Sequence, residues 1–184
     1  MRILGIAGSL RRGSHNRKLL RAAALQLPSG TELVEWDGLA GLPIFDEDLE
    51  ADVPEAVQEL RDAIEGADAI LIATPEYNAS VPGGLKNMID WTSRPYPDNV
   101  LKGKPALVIG ASTGLFGAVW AQAEVRKSVK YAGAHVVEDE LPVGLADTAF
   151  AEDGSLTSPE LAEKLGDLLQ DLVREARAPV EQSA

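Results

Sequence analysis

Cysteine is absent from the 184-residue sequence, and histidine occurs only as His15 and His135. Without thiols the chain forms no disulfide, no thiol redox centre, no iron–sulfur cluster and no cysteine zinc site. Two histidines also leave little room for a histidine-rich metal site. We expect His15 to lie on the surface at the start of a helix and His135 to be structural within a strand. A redox protein of this composition has to use an organic cofactor.

Basic residues are outnumbered, 17 against 29 acidic ones, and the net charge at pH 7 is −12. The sequence has no dense run of Lys or Arg, so we expect neither nucleic-acid binding nor charge-driven membrane binding. The longest apolar run, residues 69–73, has the length of a buried strand and is too short to cross a membrane. The first residues lack the long apolar stretch of a signal peptide, so we expect a cytoplasmic protein.

Apolar runs of strand length alternate with segments of helical period, as in an α/β protein. A parallel sheet of five strands in the order 2-1-3-4-5, with helices on both faces, is the arrangement that this alternation favours. We expect residues 1–177 to form one domain and residues 178–184 a frayed tail. The predicted strands are 2–7, 31–36, 67–74, 106–111 and 134–137. The predicted helices are 16–27, one beginning at 52–55 with Asp52 as its cap, 82–91, 117–131 and one beginning at 157–160.

In this strand order the loops after strands one, three and four lie side by side, at the edge where such sheets bind ligands. The first loop, residues 8–16, reads GSLRRGSHN and ends where a helix begins, a position that suits phosphate. Ser9, Ser14 and Asn16 add hydrogen-bond donors, and Arg11 can form charge-assisted bonds. The loop matches neither a P-loop nor the G-x-G-x-x-G fingerprint. The alternative is a polar turn whose Ser14 or Asn16 only caps the helix.

The second loop, residues 74–84, reads TPEYNASVPGG. Tyr77 offers an aromatic face to a planar ligand, and Asn78 can both donate and accept hydrogen bonds. Pro75 stiffens the start of the loop. We expect the backbone amide of Glu76 to matter more than its carboxylate, and assign it no acid or base role. The alternative is a rigid crossover that carries a surface tyrosine.

The third loop, residues 110–117, reads GASTGLFG, and its small residues let backbone amides approach a flat ring. Taken alone, the loop is better explained as an ordinary strand-to-helix turn. Together, however, the three loops resemble the NADPH-dependent FMN reductase family, which includes quinone, azo-dye and chromate reductases. The most specific match is PEYN with the downstream P-G-x-L-K-N, and LPIFDEDLE at residues 42–50 also matches. Phe116-Gly117-Ala118 departs from the doubled glycine that many members carry there.

The resemblance implies a flavodoxin-like three-layer fold with FMN as the cofactor and NADPH or NADH as the co-substrate. It places four residues at the phosphate, four along the isoalloxazine ring and two that close the site. The four at the phosphate are Ser9, Arg11, Ser14 and Asn16. Pro75, Glu76, Tyr77 and Asn78 line the ring, and Ser112 and Gly114 close it. No second nucleotide fingerprint is legible, which favours FMN over FAD.

The resemblance further implies a homodimer or homotetramer with the flavin near the subunit interface. The implied reaction is a two-electron ping-pong transfer to a small-molecule acceptor: a quinone, an azo compound, a metal oxyanion or free flavin. A flavodoxin-like electron carrier and a nucleotide-binding module without redox chemistry are the alternatives. Residues 42–50 are either a solvated loop or a flap over a flavin. Trp36 and Trp120 are expected to be packing residues, and Trp91 to lie at a subunit interface.

Overall fold

The predicted alternation of strands and helices is present in the computed structural model, which describes residues 1–178. Two short 3₁₀ turns, at Gly38–Gly41 and Glu47–Leu49, separate the second strand from the second helix. The strands are β1 Arg2–Ala7, β2 Glu32–Trp36, β3 Ala69–Thr74, β4 Pro105–Ala111, β5 His135–Val136 and β6 Pro142–Val143. The helices are α1 His15–Ala24, α2 Glu55–Glu65, α3 Gly83–Thr92, α4 Val119–Tyr131 and α5 Pro159–Arg177.

The sheet is parallel and has the order β2-β1-β3-β4-β5, which confirms the flavodoxin-like arrangement predicted from the sequence. A sixth strand, β6, was not predicted. It pairs with the carboxyl end of β4, at Gly110 and Ala111, whereas β5 pairs with the amino end of the same strand. Two short strands thus share one edge of β4, and β6 lies beside the third loop.

Two apolar layers enclose the sheet. Helices α1 and α5 cover one face, and α2, α3 and α4 cover the other. Every residue of β3 is buried, as its continuous apolar run predicted for a central parallel strand. On α5 the inward positions form one helical stripe of leucines: Leu165, Leu168, Leu169 and Leu172.

Three helix boundaries differ from the prediction by more than one residue. Helix α1 ends at Ala24, before Pro28, and not at residue 27. Asp52 does not cap α2, which starts at Glu55 because Pro54 occupies the cap position in an extended conformation. Helix α4 starts at Val119, since Gly117 and Ala118 adopt positive φ angles of 58° and 62° that interrupt a helix.

The predicted environments of two tryptophans are wrong. Trp91, expected at an interface, is fully buried, and its indole Nε1 donates a hydrogen bond to Pro43 O at 2.9 Å. Trp120, expected to pack inside, is 48% exposed. Trp36 is partly buried against the core, which confirms its packing role.

The predicted chain end lies mostly outside the described residues. Of the predicted tail, only Ala178 is described; residues 179–184 lie beyond. The extent of the domain, 1–177, therefore stays a prediction. None of the helices in residues 1–178 is both long enough and apolar enough to cross a membrane.

Replacing Gly117 tests how tightly the third loop packs on β6. A Cβ at Gly117 would lie 2.3 Å from the carbonyl carbon of Pro142, on a backbone with positive φ. We expect Gly117→Ala to lower the free energy of unfolding by about 2 kcal/mol or more. Urea denaturation measures this change. Gly83→Ala is the matched control, because a Cβ there meets nothing within 4 Å. Equal stability of the two variants would contradict the packing described.

Candidate functional site

The loops after β1, β3 and β4 meet at the carboxyl edge of the sheet. Ala7 pairs with Ala73, and Thr74 pairs with Gly110, so the three strands end in register. Gly8 N donates a hydrogen bond to Ala73 O at 2.8 Å and joins the first loop to β3. The loops that sequence reasoning selected are therefore neighbours in space.

The first loop forms a turn that leads directly into α1. Ser14 is the N-cap, and its Oγ accepts a hydrogen bond from Arg17 N at 3.2 Å. The capping alternative is therefore present, but a hydroxyl that accepts one bond can still donate its proton to an anion. Ser9 is buried, and its Oγ lies 3.4 Å from Arg11 N, which donates to it. Ser14 thus lies at the amino end of α1, and Ser9 lies earlier in the same loop.

Asn16 is buried and bridges the first and third loops. Its Nδ2 donates to Ala111 O at 3.0 Å, while its Oδ1 accepts from Ala111 N at 2.9 Å. The side chain thus serves first to hold the end of β4. Its backbone N–H lies in the first turn of α1, where amides lack an intrahelical acceptor, and is the group best placed for an anion.

Arg11 is exposed, and its guanidinium donates to Gly13 O at 2.9 Å. Further N–H donors of the guanidinium are thus available for a ligand. His15 was expected on the surface, but its ring is largely buried, stacks on Phe150 and lies 3.2 Å from Asp147 Oδ1. Burial, followed by the charge of Arg11, lowers the pKa of His15 below its ordinary value.

The second loop folds into a tight hairpin turn. Tyr77 and Ser80 exchange backbone hydrogen bonds of 3.2 and 3.1 Å, and the residues between them, Asn78 and Ala79, have φ angles of 54° and 57°. Positive φ at both central residues is the signature of a type I′ turn, which asparagine tolerates well. Tyr77 is 52% exposed, which confirms its expected place on an exposed loop and leaves its ring accessible.

The carboxylate of Glu76 has a definite partner. Its Oε2 accepts hydrogen bonds from Trp120 N at 3.0 Å and Ala121 N at 3.1 Å, in the first turn of α4. Sequence reasoning missed Glu124, whose Oε2 accepts from Ser80 Oγ at 2.5 Å and from Val81 N at 3.1 Å. No motif marked Glu124, because its partners lie more than 40 residues away in the sequence.

The third loop is held from behind by β6 and the residues after it. Ser112 N donates to Val143 O, and Leu145 N donates to Gly114 O, both at 3.0 Å. Ser112 Oγ accepts from Gly114 N at 3.1 Å. Phe116 is exposed and meets the ring of Trp120 edge to face at 5.3 Å. Sequence reasoning missed residues 142–146, which fix the loop.

Residues 42–50 are fixed to α3. Pro43 O accepts hydrogen bonds from Asn87 Nδ2 at 2.8 Å and from Trp91 Nε1 at 2.9 Å, and Phe45 N donates to Asn87 Oδ1 at 2.7 Å. Arg94 pairs with two acidic side chains of the segment, Glu47 and Glu50. The segment is therefore anchored rather than loosely solvated, and its use as a flap stays a hypothesis.

The donor set fits one phosphate and one planar ring. First-turn amides of α1, two serine hydroxyls and the Arg11 guanidinium suit an anion. The exposed Tyr77 and the small residues of the third loop suit a flat ring. A Cβ at Gly8 would lie 3.0 Å from side-chain carbons of Pro75 and Leu85, so the first loop packs closely against the second loop and α3 here. Within residues 1–178 no group of three or more His, Asp or Glu is placed to hold a metal ion.

Fold and site together define a flavodoxin-like protein with a mononucleotide site. The family model described as NADPH-dependent FMN reductase matches residues 1–148, and the chain belongs to this family. The cofactor of the family is FMN, and its co-substrate is NAD(P)H. The family predicted from the three loops, the enzyme class and both cofactors are thus confirmed.

The chain is similar to named relatives over most of its length. An NAD(P)H-dependent FMN reductase of Pseudomonas aeruginosa is 41% identical over 174 residues, 94% of this chain and 93% of the relative. A 2-hydroxy-1,4-benzoquinone reductase of a Burkholderia species is 41% identical over 131 residues, 71% of each chain. The solved structure of FerB, a flavoenzyme NAD(P)H:(acceptor) oxidoreductase of Paracoccus denitrificans, is 38% identical with a TM-score of 0.83, covering 95% of this chain and 96% of FerB.

Replacing Arg11 tests the phosphate end of the site. A hydrogen bond to a charged group is worth about 1.5–3 kcal/mol, so Arg11→Ala should lower FMN affinity by about tenfold or more. The free energy of unfolding should change by less than about 0.5 kcal/mol, since the side chain is exposed. Titration of FMN into the apoprotein measures the affinity. Arg12→Ala, which alters the neighbouring exposed arginine, is the control, and equal affinities of all three proteins would remove Arg11 from the site.

Proposed function

We propose that the protein is an FMN-dependent NAD(P)H oxidoreductase whose principal acceptors are quinones. Azo compounds, metal oxyanions and free flavin are further candidate electron acceptors. The observation that carries the proposal is the juxtaposition, at one edge of the sheet, of an anion site at α1 with the exposed Tyr77 and the third loop. The similarity to a benzoquinone reductase supports quinones as the first class to test. A cytoplasmic location stays a prediction from the sequence.

The residues divide into three roles. Ser9, Arg11, Ser14 and Asn16 bind the phosphate, with Asn16 contributing its backbone N–H. Pro75, Glu76, Tyr77 and Asn78 line the ring, and Ser112 and Gly114 close the site opposite them. When bound, FMN supplies the capacity to accept a hydride and to hold two electrons. The chain binds and orients the cofactor and leaves a ring face accessible.

No side chain is assigned as an acid or a base. His15 is the histidine beside these loops, and it is largely buried between Phe150 and Asp147 with a lowered pKa. Such a residue supports the loop and is poorly placed to exchange protons with a substrate. The carboxylate of Glu76 is likewise engaged with the amino end of α4. The family and the relatives named as reductases favour an enzyme over the electron-carrier and non-redox alternatives.

Steady-state kinetics test the proposed reaction. The reduced nicotinamide and the quinone both need the ring face bounded by residues 75–78 and 112–117, so they should bind in turn. We expect double-reciprocal plots of NADPH oxidation at several 1,4-benzoquinone concentrations to be parallel. Protein stripped of FMN, which should show no turnover, is the control. Intersecting lines would mean that both substrates bind together, and the single-face arrangement would then be wrong.

We also propose a homo-oligomer, dimer or tetramer, that associates through α3 and α4. Tyr96 and Tyr131, 71% and 88% exposed, border a groove of about 390 Å³ between these helices, and exposed aromatic residues are enriched at interfaces. Light scattering at micromolar concentration should show at least a dimer, and the Tyr131→Glu variant should be more monomeric than the wild type. The Leu25→Glu variant is the control and should keep the oligomeric state of the wild type, because Leu25 is exposed next to α1 on the opposite face of the sheet. A monomeric wild type would refute the proposal.

A further inference from the structure

Two carboxylates connect the second loop to α4: one belongs to the loop and binds the helix, and the other belongs to the helix and binds the loop. Glu76 belongs to the loop and binds the first-turn amides of α4, at Trp120 and Ala121. Glu124 belongs to α4 and binds the far end of the loop, at Ser80 and Val81. The hairpin turn between them is thus fixed to the helix at both of its ends. We call this pair of interactions the carboxylate clamp.

The first half of the clamp fixes where α4 begins. The N-cap residue of α4, Ala118, is left-handed and has no side chain able to cap, and the first turn of the helix contains no acidic residue. Unpaired first-turn amides and the helix dipole favour a carboxylate at this position. Glu76 supplies it from another loop. Because the third loop runs directly into α4, Glu76 also fixes the end of that loop.

The second half of the clamp holds a strained turn. Ala79 has a φ of 57°, a conformation that residues with a Cβ rarely adopt. Glu124 accepts one hydrogen bond from the Ser80 hydroxyl and one from the Val81 amide, next to this turn. The same bonds lower the pKa of the Glu124 carboxyl, because they favour its charged form. Charged acceptors form the stronger hydrogen bonds.

We propose that Glu76 and Glu124 are positioning residues that set the spacing between the two loops on either side of the flavin ring. This inference rests on the ring lying between the second and third loops, as proposed above. Tyr77 and Asn78 stand between the two anchored ends of one loop, and the other loop is fixed to β6. Without the clamp, the second loop can move relative to the third, and the ring loses its preorganised site.

A purely structural role for the two carboxylates makes a different prediction. Loss of stability alone leaves flavin affinity unchanged in the fraction of molecules that is folded. A loss of ring positioning lowers the affinity for the ring, whether or not a phosphate is attached. Riboflavin carries the ring without the phosphate, so it separates these cases.

The experiment titrates FMN and riboflavin into apoprotein and follows flavin fluorescence. For both Glu76→Ala and Glu124→Ala we expect the two affinities to fall by the same factor, about tenfold, because each variant removes charge-assisted hydrogen bonds. The Gln variants, which keep an acceptor oxygen, should recover part of the affinity. Glu163→Ala, an exposed carboxylate on α5 at the opposite face of the sheet, is the control and should bind both flavins normally.

Coupling and a milder variant complete the test. If the clamp acts as a unit, the double variant should lose less affinity than the sum of the two single losses. Should an alanine variant fail to fold, Ser80→Ala is the milder variant, because it removes only the shortest contact of Glu124. It should lower the affinities for FMN and riboflavin by one common factor. Unchanged riboflavin affinity in the folded variants overturns the inference, as does a loss confined to FMN. A wild-type protein that binds neither flavin would refute the proposed site itself.

Discussion

Parallel pairing of β1 with β3 and of β3 with β4 is the constraint on which the candidate site depends. Parallel strands that end in register place their following loops at one edge, and these loops lie far apart in the sequence. The strands themselves are fixed because β3 is buried on both faces, so a shift in register would disturb both apolar layers. A site built on such an edge takes its geometry from the sheet.

The loops are held by one another and by the neighbouring strands β3 and β6. Asn16, in the first turn of α1, satisfies both backbone groups of Ala111 at the end of β4. Gly8 N bonds to β3, and Gly114 O accepts from Leu145, beyond β6. Buried backbone groups that lack such partners are costly, so each loop is stable only in the company of its neighbours. This mutual dependence favours a rigid site that is formed before a ligand binds.

Much of this arrangement follows from sequence pattern, and the exceptions have physical reasons. The continuous apolar run of β3 was predictable, because burial on both faces leaves no alternation. The strand order was predictable from the alternation of strands with helices. Strand β6 has two residues, one of them Pro142, and is too short to leave a pattern. Trp91 follows the buried stripe of α3 three residues after Met88, whereas Trp120 precedes buried Ala121. Helical position, and not residue type, decided which tryptophan is inside.

Local charge at the first loop resolves an apparent conflict between an acidic chain and an anionic ligand. The net charge is −12, yet Arg11 and Arg12 are exposed at the amino end of α1. Nearby Arg17 is paired with Glu35 at 3.2 Å, so its positive charge is partly offset by a carboxylate. At physiological ionic strength, exposed charges more than about 8 Å away are largely screened. We therefore propose that phosphate binding depends on groups in direct contact, namely helix amides, serine hydroxyls and one guanidinium, rather than on attraction by the protein as a whole.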